Sequence, residues 1–291
     1  MDRTWIGKLV AASCAALCTA SAWAVTPVNA DFQTILDGRS TQTAVWRYAD
    51  NPKIFVFDFP GLALQGRTFN RVTQLSEQQI SEPYPRVLTT DELTKYIEAL
   101  RRTQADFAFG HDILVAELVQ FFNLALRDKV DLFPEEIGLR DFLVEQGLIR
   151  EWRGFYQAME PGAVVLSIPQ PQEKQAAEPR ITGGARTAIL LHEMAHGEYY
   201  TSPYYASYCK RFWSETLTDN QREAFKKFLS KYNYSVAGED LLVNEMQAYL
   251  MFTPDQASFN ARKLGVSDAE LAAMREAFRK GKPPTKLPLN F

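Results

Sequence analysis

Apolar and polar positions along the chain alternate or cluster in ways that predict strands early and helices later. Two strand-like runs cover 44–48 and 53–59, and the second alternates before it ends at Pro60-Gly61. An uninterrupted apolar run over 163–168 predicts a third strand of the buried type. The polar stretch 25–43 has no clear period, and we expect it to be an irregular lead-in.

Helix signals dominate the rest of the chain, and several helices have a start signal in the sequence. A Ser or Thr followed three residues later by Glu or Gln forms a capping box, which satisfies backbone N–H groups at a helix start. Such pairs begin at Thr89, Thr218 and Ser267, and Pro134 marks another start. The predicted helices cover about 89–102, 112–129, 134–147, 185–200, 218–232, 239–252 and 267–281.

The order of these elements predicts an α+β fold that is mainly α, with a small mixed or antiparallel sheet and a helical C-terminal half. The sequence contains no internal repeat and no linker long enough to separate two independent domains. We therefore expect one compact unit, whose parts 25–160 and 161–291 flank a cleft.

The first residues carry the parts of a secretory signal peptide. Arg3 and Lys8 give a basic start, an apolar run rich in small residues follows, and Ala22-Trp23-Ala24 fits the A-x-A cleavage pattern. We predict that 1–24 is removed and that the protein is exported, to the periplasm or out of the cell, with no stable membrane span. An uncleaved anchor is the alternative, but the run is short and alanine-rich for a spanning helix.

Charge and cysteine content limit the classes of function. The 291 residues include 32 Lys and Arg against 35 Asp and Glu, a net charge of −3. The chain therefore has no overall excess of basic residues with which to bind nucleic acid. Loss of the signal peptide removes Cys14 and Cys18 and leaves Cys209 without a disulfide partner. Stability of the exported chain must then come from its core and from any metal that it binds.

Two of the three histidines lie four residues apart, in His192-Glu193-Met194-Ala195-His196. On a helix this spacing puts both imidazoles on one face, where they can reach a single Zn²⁺. Glu193 projects beside them and can contact a metal-bound water. The alternative is an accidental pair of histidines in a helical interaction protein.

Zinc needs a third protein ligand, and the position of the histidines narrows the choice. No histidine follows His196, so the ligand is a carboxylate or His111. Glu245 is the strongest candidate, because its neighbours three and four residues away on a helix are mostly apolar. Burying that carboxylate without a cation would cost several kcal/mol. Glu198 is a minor alternative, and for His111 we expect a helix-cap or surface position.

H-E-x-x-H followed downstream by a helix that bears Asn244-Glu245 resembles the gluzincin zinc metallopeptidases, of which the thermolysin-like enzymes are examples. The resemblance covers about 185–200 and 240–252. It implies a zincin-like domain that hydrolyses peptide bonds of peptide or protein substrates. The implied roles are metal ligand for His192, His196 and Glu245, and general base for Glu193. It also suggests that the strand at 163–168 is the edge strand that pairs with substrate.

The sequence departs from the thermolysin-like pattern at two positions. That pattern has an Asp four residues after the glutamate ligand, where this chain has Tyr249, so support for a histidine would have to come from elsewhere, with Asp240 and Glu239 as candidates. It also has a later histidine that stabilises the oxyanion, and this chain has none. A tyrosine must serve, and Tyr249 and Tyr199 are the leading candidates. The missing histidine leaves open a catalytically degenerate zincin that binds a partner.

Overall fold

The computed structural model describes residues 25–76, 85–174, 178–285 and 287, so the predicted signal peptide at 1–24 lies outside the described residues. The described part is α+β and mainly helical, with one mixed five-stranded sheet and a two-stranded hairpin. The predicted fold class is confirmed at this level. In the same part of the chain, no helix is long and apolar enough to cross a membrane.

The large sheet has the strand order β1-β2-β3-β7-β4. Its strands are β1 (Val28–Ala30), β2 (Ala44–Tyr48), β3 (Ile54–Phe59), β4 (His111–Leu114) and β7 (Val164–Pro169), and the hairpin consists of β5 (Ile149–Trp152) and β6 (Phe155–Ala158). β7 runs parallel to β3 and antiparallel to β4. The expectation that 163–168 forms an edge strand is therefore wrong, because β7 is paired on both sides and β4 forms the edge.

The helices surround this sheet. They are α1 (Phe32–Asp37), α2 (Leu62–Ser76), α3 (Thr90–Ala99), α4 (Val115–Asp128), α5 (Pro134–Glu145), α6 (Gly183–Thr201), α7 (Pro203–Arg211), α8 (Asp219–Ser230), α9 (Glu239–Phe252), α10 (Ala261–Leu264) and α11 (Asp268–Gly281), and a π-helical turn (Phe212–Thr216) extends α7. The side chains of Thr89, Thr218 and Ser267 accept hydrogen bonds from the third backbone N–H of α3, α8 and α11. The three predicted helix starts are confirmed.

Two stretches differ from the prediction. The expected lead-in at 25–43 contains β1 and α1, and the Asp31 side chain caps α1 by accepting from Thr34 N. The helix predicted from residue 112 begins at Val115, because His111–Leu114 pairs with β7 as a strand. The parts 25–160 and 161–291 share one sheet, since β7 of the second part lies between β3 and β4 of the first.

Helices cover both faces of the sheet, which gives the protein two cores. Along β3, Ile54 and Val56 contact the first core, under α6–α9 and α11, whereas Phe55, Phe57 and Phe59 contact the second core, under α2, α4 and α5. Strands buried on both faces are mostly apolar, and β3 and β7 are apolar except at Asp58 and Ser167. α6 approaches the first face closely at Gly197, where a Cβ would lie 2.9 Å from Ile54 Cδ1.

The start of α6 is fixed by a fully buried ion pair. Both terminal nitrogens of Arg186 donate to the carboxylate of Asp58 on β3, at 2.7 and 2.8 Å. The same guanidinium donates to the backbone carbonyls of Ile35 and Pro169. One side chain therefore joins α1, β3, β7 and α6, and it holds α6 against the sheet two turns before the histidines.

Candidate metal centre

The predicted metal ligands come together between α6 and α9. The Nε2 atoms of His192 and His196 are 3.1 Å apart. Glu245, on α9, places Oε2 3.7 Å from Nε2 of His192 and Oε1 3.8 Å from Nε2 of His196. These three side chains could hold a metal ion, each with one ligand atom. Neither His111 nor Glu198, the two alternatives for the third ligand, belongs to this group.

The surroundings of Glu245 favour a cation at this position. Its side chain is buried, and within the described ranges Oε2 has no hydrogen-bond partner. Burial raises the pKa of Glu245 to about 8, although the nearby His196 acts in the opposite direction. Burial and the neighbouring His196 also lower the pKa of His192 well below its ordinary value. A bound metal ion would offset the burial cost of the carboxylate and would take neutral imidazole as a ligand.

Thr253, one residue past the end of α9, orients His192. Its hydroxyl donates to the carbonyl oxygen of Ala248 at 3.0 Å, so it accepts from Nδ1 of His192 at 2.8 Å. With the proton on Nδ1, the lone pair on Nε2 is free to bind a metal ion. Sequence reasoning missed Thr253, because only the path of the chain after α9 brings it to His192.

The expected support from Asp240 or Glu239 is not found. The carboxylate of Asp240 accepts from the Tyr199 hydroxyl at 2.8 Å and pairs with Lys210 at 2.6 Å. Asp240 and Glu239 are exposed in the first turn of α9, well before Glu245. The interpretation that either residue supports a ligand is therefore wrong. Tyr199 is tied to Asp240 and does not line the cleft, so the structure does not bring it to the metal centre.

Asp112, on β4, is a carboxylate that sequence reasoning missed. Its Oδ2 lies 3.7 Å from Nδ1 of His196, on the side of the ring away from His192. Asp112 also takes part in a hydrogen bond with Tyr200, and burial together with the charge of Glu117 raises its pKa well above the ordinary value. Asp112, Glu193 and His196 form a second buried group that could hold a metal ion.

His111, one residue earlier, faces the opposite core. It is buried, with Nδ1 2.6 Å from the hydroxyl of Ser167 and Nε2 3.2 Å from Oδ1 of Asn70. Burial lowers its pKa to about 3. The expected cap or surface position is wrong, because residue 111 belongs to a strand. Strand alternation was the available signal: with His111 on one face, Asp112 must lie on the other.

His192, His196 and Glu193 line a cleft of about 400 Å³. Glu193 is buried at its base, and burial, Asp112 and Glu245 all raise its pKa well above the ordinary value. Its carboxylate lies directly against Gly110, where a Cβ would be 2.1 Å from Oε1. The cleft walls combine aromatic and apolar side chains with charged ones. The aromatic and apolar residues include Phe107, Ala108, Phe109, Ile181, Ala185, Ala188, Ile189, Tyr232, Tyr234 and Tyr249, and the charged ones include Arg102, Arg180, Asp255 and Lys263.

Tyr249 is brought to the cleft, as predicted. Its ring centroid is 4.7 Å from that of His192, with the two planes at 65°. Burial and the charge of Glu245 raise its pKa, and a side-chain hydrogen bond with Tyr234 acts in the opposite direction. The hydroxyl is therefore neutral at ordinary pH, and the ring packs against the ring of His192.

Comparisons with protein-family models, curated proteins and solved structures found no match for this chain. The case for a function therefore depends on the site and on the sequence motif that builds it.

Proposed function

We propose that this protein is an exported, zinc-dependent metallopeptidase of the gluzincin type, with a zincin-like fold, that hydrolyses peptide bonds in peptides or proteins. One observation carries the proposal: His192, His196 and Glu245 converge from two helices, and Glu193 faces the cleft beside them. The helical pair from H-E-x-x-H and a glutamate from a later helix are the arrangement that the sequence resemblance implies.

The donor set fits zinc. Zn²⁺ binds imidazole nitrogen and carboxylate oxygen at about 2.0–2.2 Å in tetrahedral geometry, which places ligand atoms about 3.3–3.6 Å apart. The separations of 3.1, 3.7 and 3.8 Å among the three side chains bracket this range. Two imidazoles and one carboxylate leave a fourth position for water or substrate, as catalytic zinc sites do.

The side chains around this position have distinct roles in the proposed reaction. Zinc, when bound, lowers the pKa of a coordinated water towards about 7 and polarises the substrate carbonyl. Glu193 accepts the proton of the attacking water and passes it to the leaving amine. The Tyr249 hydroxyl donates a hydrogen bond to the carbonyl oxygen as negative charge develops there. The edge strand β4 offers backbone groups to an extended peptide along its unpaired side.

Glu193→Gln is the direct test of hydrolysis. The amide keeps the size of the side chain but cannot accept the proton, so we expect turnover of an unstructured protein to fall by about 10²–10⁴-fold. Zinc content should stay at the wild-type level, as measured by metal analysis of the same samples. Glu239→Gln, on the exposed first turn of α9, is the matched control and should retain full activity. Equal rates for Glu193→Gln and wild type would contradict the proposed peptidase mechanism.

A catalytically inactive zinc-binding protein is the second candidate. No histidine follows His196 to stabilise an oxyanion, and the Tyr249 side chain is already hydrogen-bonded to Tyr234. Stoichiometric zinc with no cleavage of any peptide in a broad library would favour this candidate over the peptidase.

Tyr249→Phe tests the tyrosine separately. Removing the hydroxyl leaves the ring on His192, so we expect kcat to fall by about 10²-fold while KM changes little, because the hydrogen bond forms only as charge develops. Steady-state kinetics on one peptide substrate measure both quantities. Tyr199→Phe is the control, since that hydroxyl binds Asp240 outside the cleft. A rise in KM with unchanged kcat would assign Tyr249 to substrate binding instead.

A further inference from the structure

We propose that the edge strand β4 and the glycine before it position the site: Asp112 holds His196 in its metal-binding orientation, and Gly110 leaves the space that Glu193 occupies. The proposed role of Asp112 depends only on His196 binding a metal ion and not on peptide hydrolysis. The role of Gly110 in turnover rests on the proposed function.

Asp112 faces the one ring nitrogen of His196 that points away from the metal ligands. Nδ1 of His196 is buried and has no hydrogen-bond partner among the described residues, and Oδ2 of Asp112 at 3.7 Å is the acceptor facing it. A carboxylate at Nδ1 keeps the ring proton there, which leaves the Nε2 lone pair for the metal. Asp112 thus faces Nδ1 of His196 on the same side of the ring as Thr253 faces Nδ1 of His192, but without the short hydrogen bond that Thr253 makes.

The position of Asp112 is itself fixed. Its backbone lies in β4, in register with Leu166 of the fully paired strand β7. Its side chain is hydrogen-bonded to Tyr200, on the last turn of α6. The carboxylate is therefore held from the sheet on one side and from the metal-binding helix on the other.

Gly110 allows Glu193 to occupy its position, because a side chain at residue 110 would overlap it. A Cβ at residue 110 would lie 2.1, 2.5 and 2.7 Å from Oε1, Cδ and Cγ of Glu193, so the Glu193 side chain would have to shift. Any other residue at 110 would push the carboxylate away from its place at the base of the cleft. The glycine acts by its lack of a side chain, and the atoms nearest to a Cβ at this position all belong to Glu193.

Zinc affinity tests the role of Asp112. Partners of this kind contribute about 10–100-fold to metal affinity, so we expect the Kd of Asp112→Ala to rise by about that factor. Asp112→Asn, which keeps the shape and an acceptor oxygen, should show a smaller rise, and it also guards against a folding defect in the alanine variant. Competition with a chromophoric chelator measures Kd, and the visible spectrum of the Co²⁺-substituted protein reports on ligand geometry.

The control for this series is Asp91→Asn, which is exposed in the first turn of α3. It should bind zinc as wild type does. If both Asp112 variants bind zinc within about twofold of wild type and their Co²⁺ spectra are unchanged, Asp112 has no positioning role.

Turnover and stability together test Gly110. Displacing a catalytic group by about 1 Å can cost about 10²-fold in rate, so Gly110→Ala should lose at least that much activity with unchanged zinc Kd. Gly162→Ala is the matched control, because a Cβ there meets nothing within 4 Å. The Tm should fall in Gly110→Ala and fall less when Glu193→Ala is already present, since the clash is then gone.

The two proposals can fail separately. A wild-type protein that cleaves no peptide defeats the proposed function, yet the zinc affinities and the Tm cycle still decide the positioning roles. Conversely, an active enzyme in which Gly110→Ala has wild-type turnover and the Tm loss is equal in both backgrounds overturns the role of Gly110.

Discussion

Glu245→Gln is expected to abolish high-affinity zinc binding, and zinc-dependent hydrolysis with it. The amide is nearly the same shape but is a much poorer ligand, and one of only three protein ligands is lost. The loss in affinity should exceed the roughly 10–100-fold that partners outside the ligand set contribute. Chelator competition gives the affinity, and a zinc titration monitored by Tm gives an independent measure, because only a metal-binding fold gains stability from added metal.

Without metal, we expect Glu245→Gln to keep more of its stability than wild type as the pH rises. Because the folded-state pKa of Glu245 is raised to about 8, its carboxyl favours folding while it is protonated, and that contribution is lost as pH rises through this value. Metal-free Glu245→Gln should therefore lose less stability than metal-free wild type between pH 5 and 8. Glu239→Gln, exposed on the same helix, should match wild type in both experiments. Retention of wild-type zinc affinity by Glu245→Gln would exclude Glu245 as a ligand.

Arg186→Met is expected to destabilise the fold strongly. It leaves the carboxylate of Asp58 buried without its guanidinium, and breaking a buried pair in this way costs about 3–5 kcal/mol. Two backbone carbonyls, those of Ile35 and Pro169, also lose their donor. Urea unfolding monitored by circular dichroism measures the change in the free energy of unfolding.

A second substitution separates charge from packing at this pair. Asp58→Asn removes the buried charge, so the double variant should regain part of the stability that Arg186→Met alone loses. Arg262→Met, on the exposed face of α10, should change stability by less than about 0.5 kcal/mol. A cost below about 1 kcal/mol for Arg186→Met would show that the ion pair contributes little to the position of α6.

The clustering of the candidate metal ligands could be predicted because its signals are local. The spacing of His192 and His196 needs only a helix, and an apolar helical face around Glu245 demands a cation. α9 was predicted with the bounds that the structure shows, Glu239–Phe252. In each case the pattern within one helix contains the information.

The residues that support the site could not be predicted, because their positions depend on pairing between distant segments. Asp112 reaches His196 only through the register of β4 with β7, and Thr253 reaches His192 only through the turn after α9. The sequence around Gly110 does not predict that Glu193 packs against it. These contacts are set by tertiary packing.

α2 and the β5–β6 hairpin are among the elements that the sequence pattern did not predict. Among the buried residues of α2, polar side chains outnumber apolar ones: Gln65, Thr68, Asn70, Arg71, Thr73 and Gln74. The turn of the β5–β6 hairpin places Arg153 at φ 53° and Gly154 at φ 80°. Asn or Asp is the usual residue before Gly in such a turn, so Arg153 gave no hairpin signal.

The chain order of the site residues has a consequence for biosynthesis. β4 supplies Asp112 early, but its neighbour in the sheet, β7, is made later, and the third ligand and Thr253 come later still, on and just after α9. A nascent chain that has not been extended past Thr253 therefore cannot complete the metal centre. If the site binds zinc as proposed, metal uptake would follow synthesis of most of the chain, and zinc loading would be a late maturation step and a reporter of complete folding.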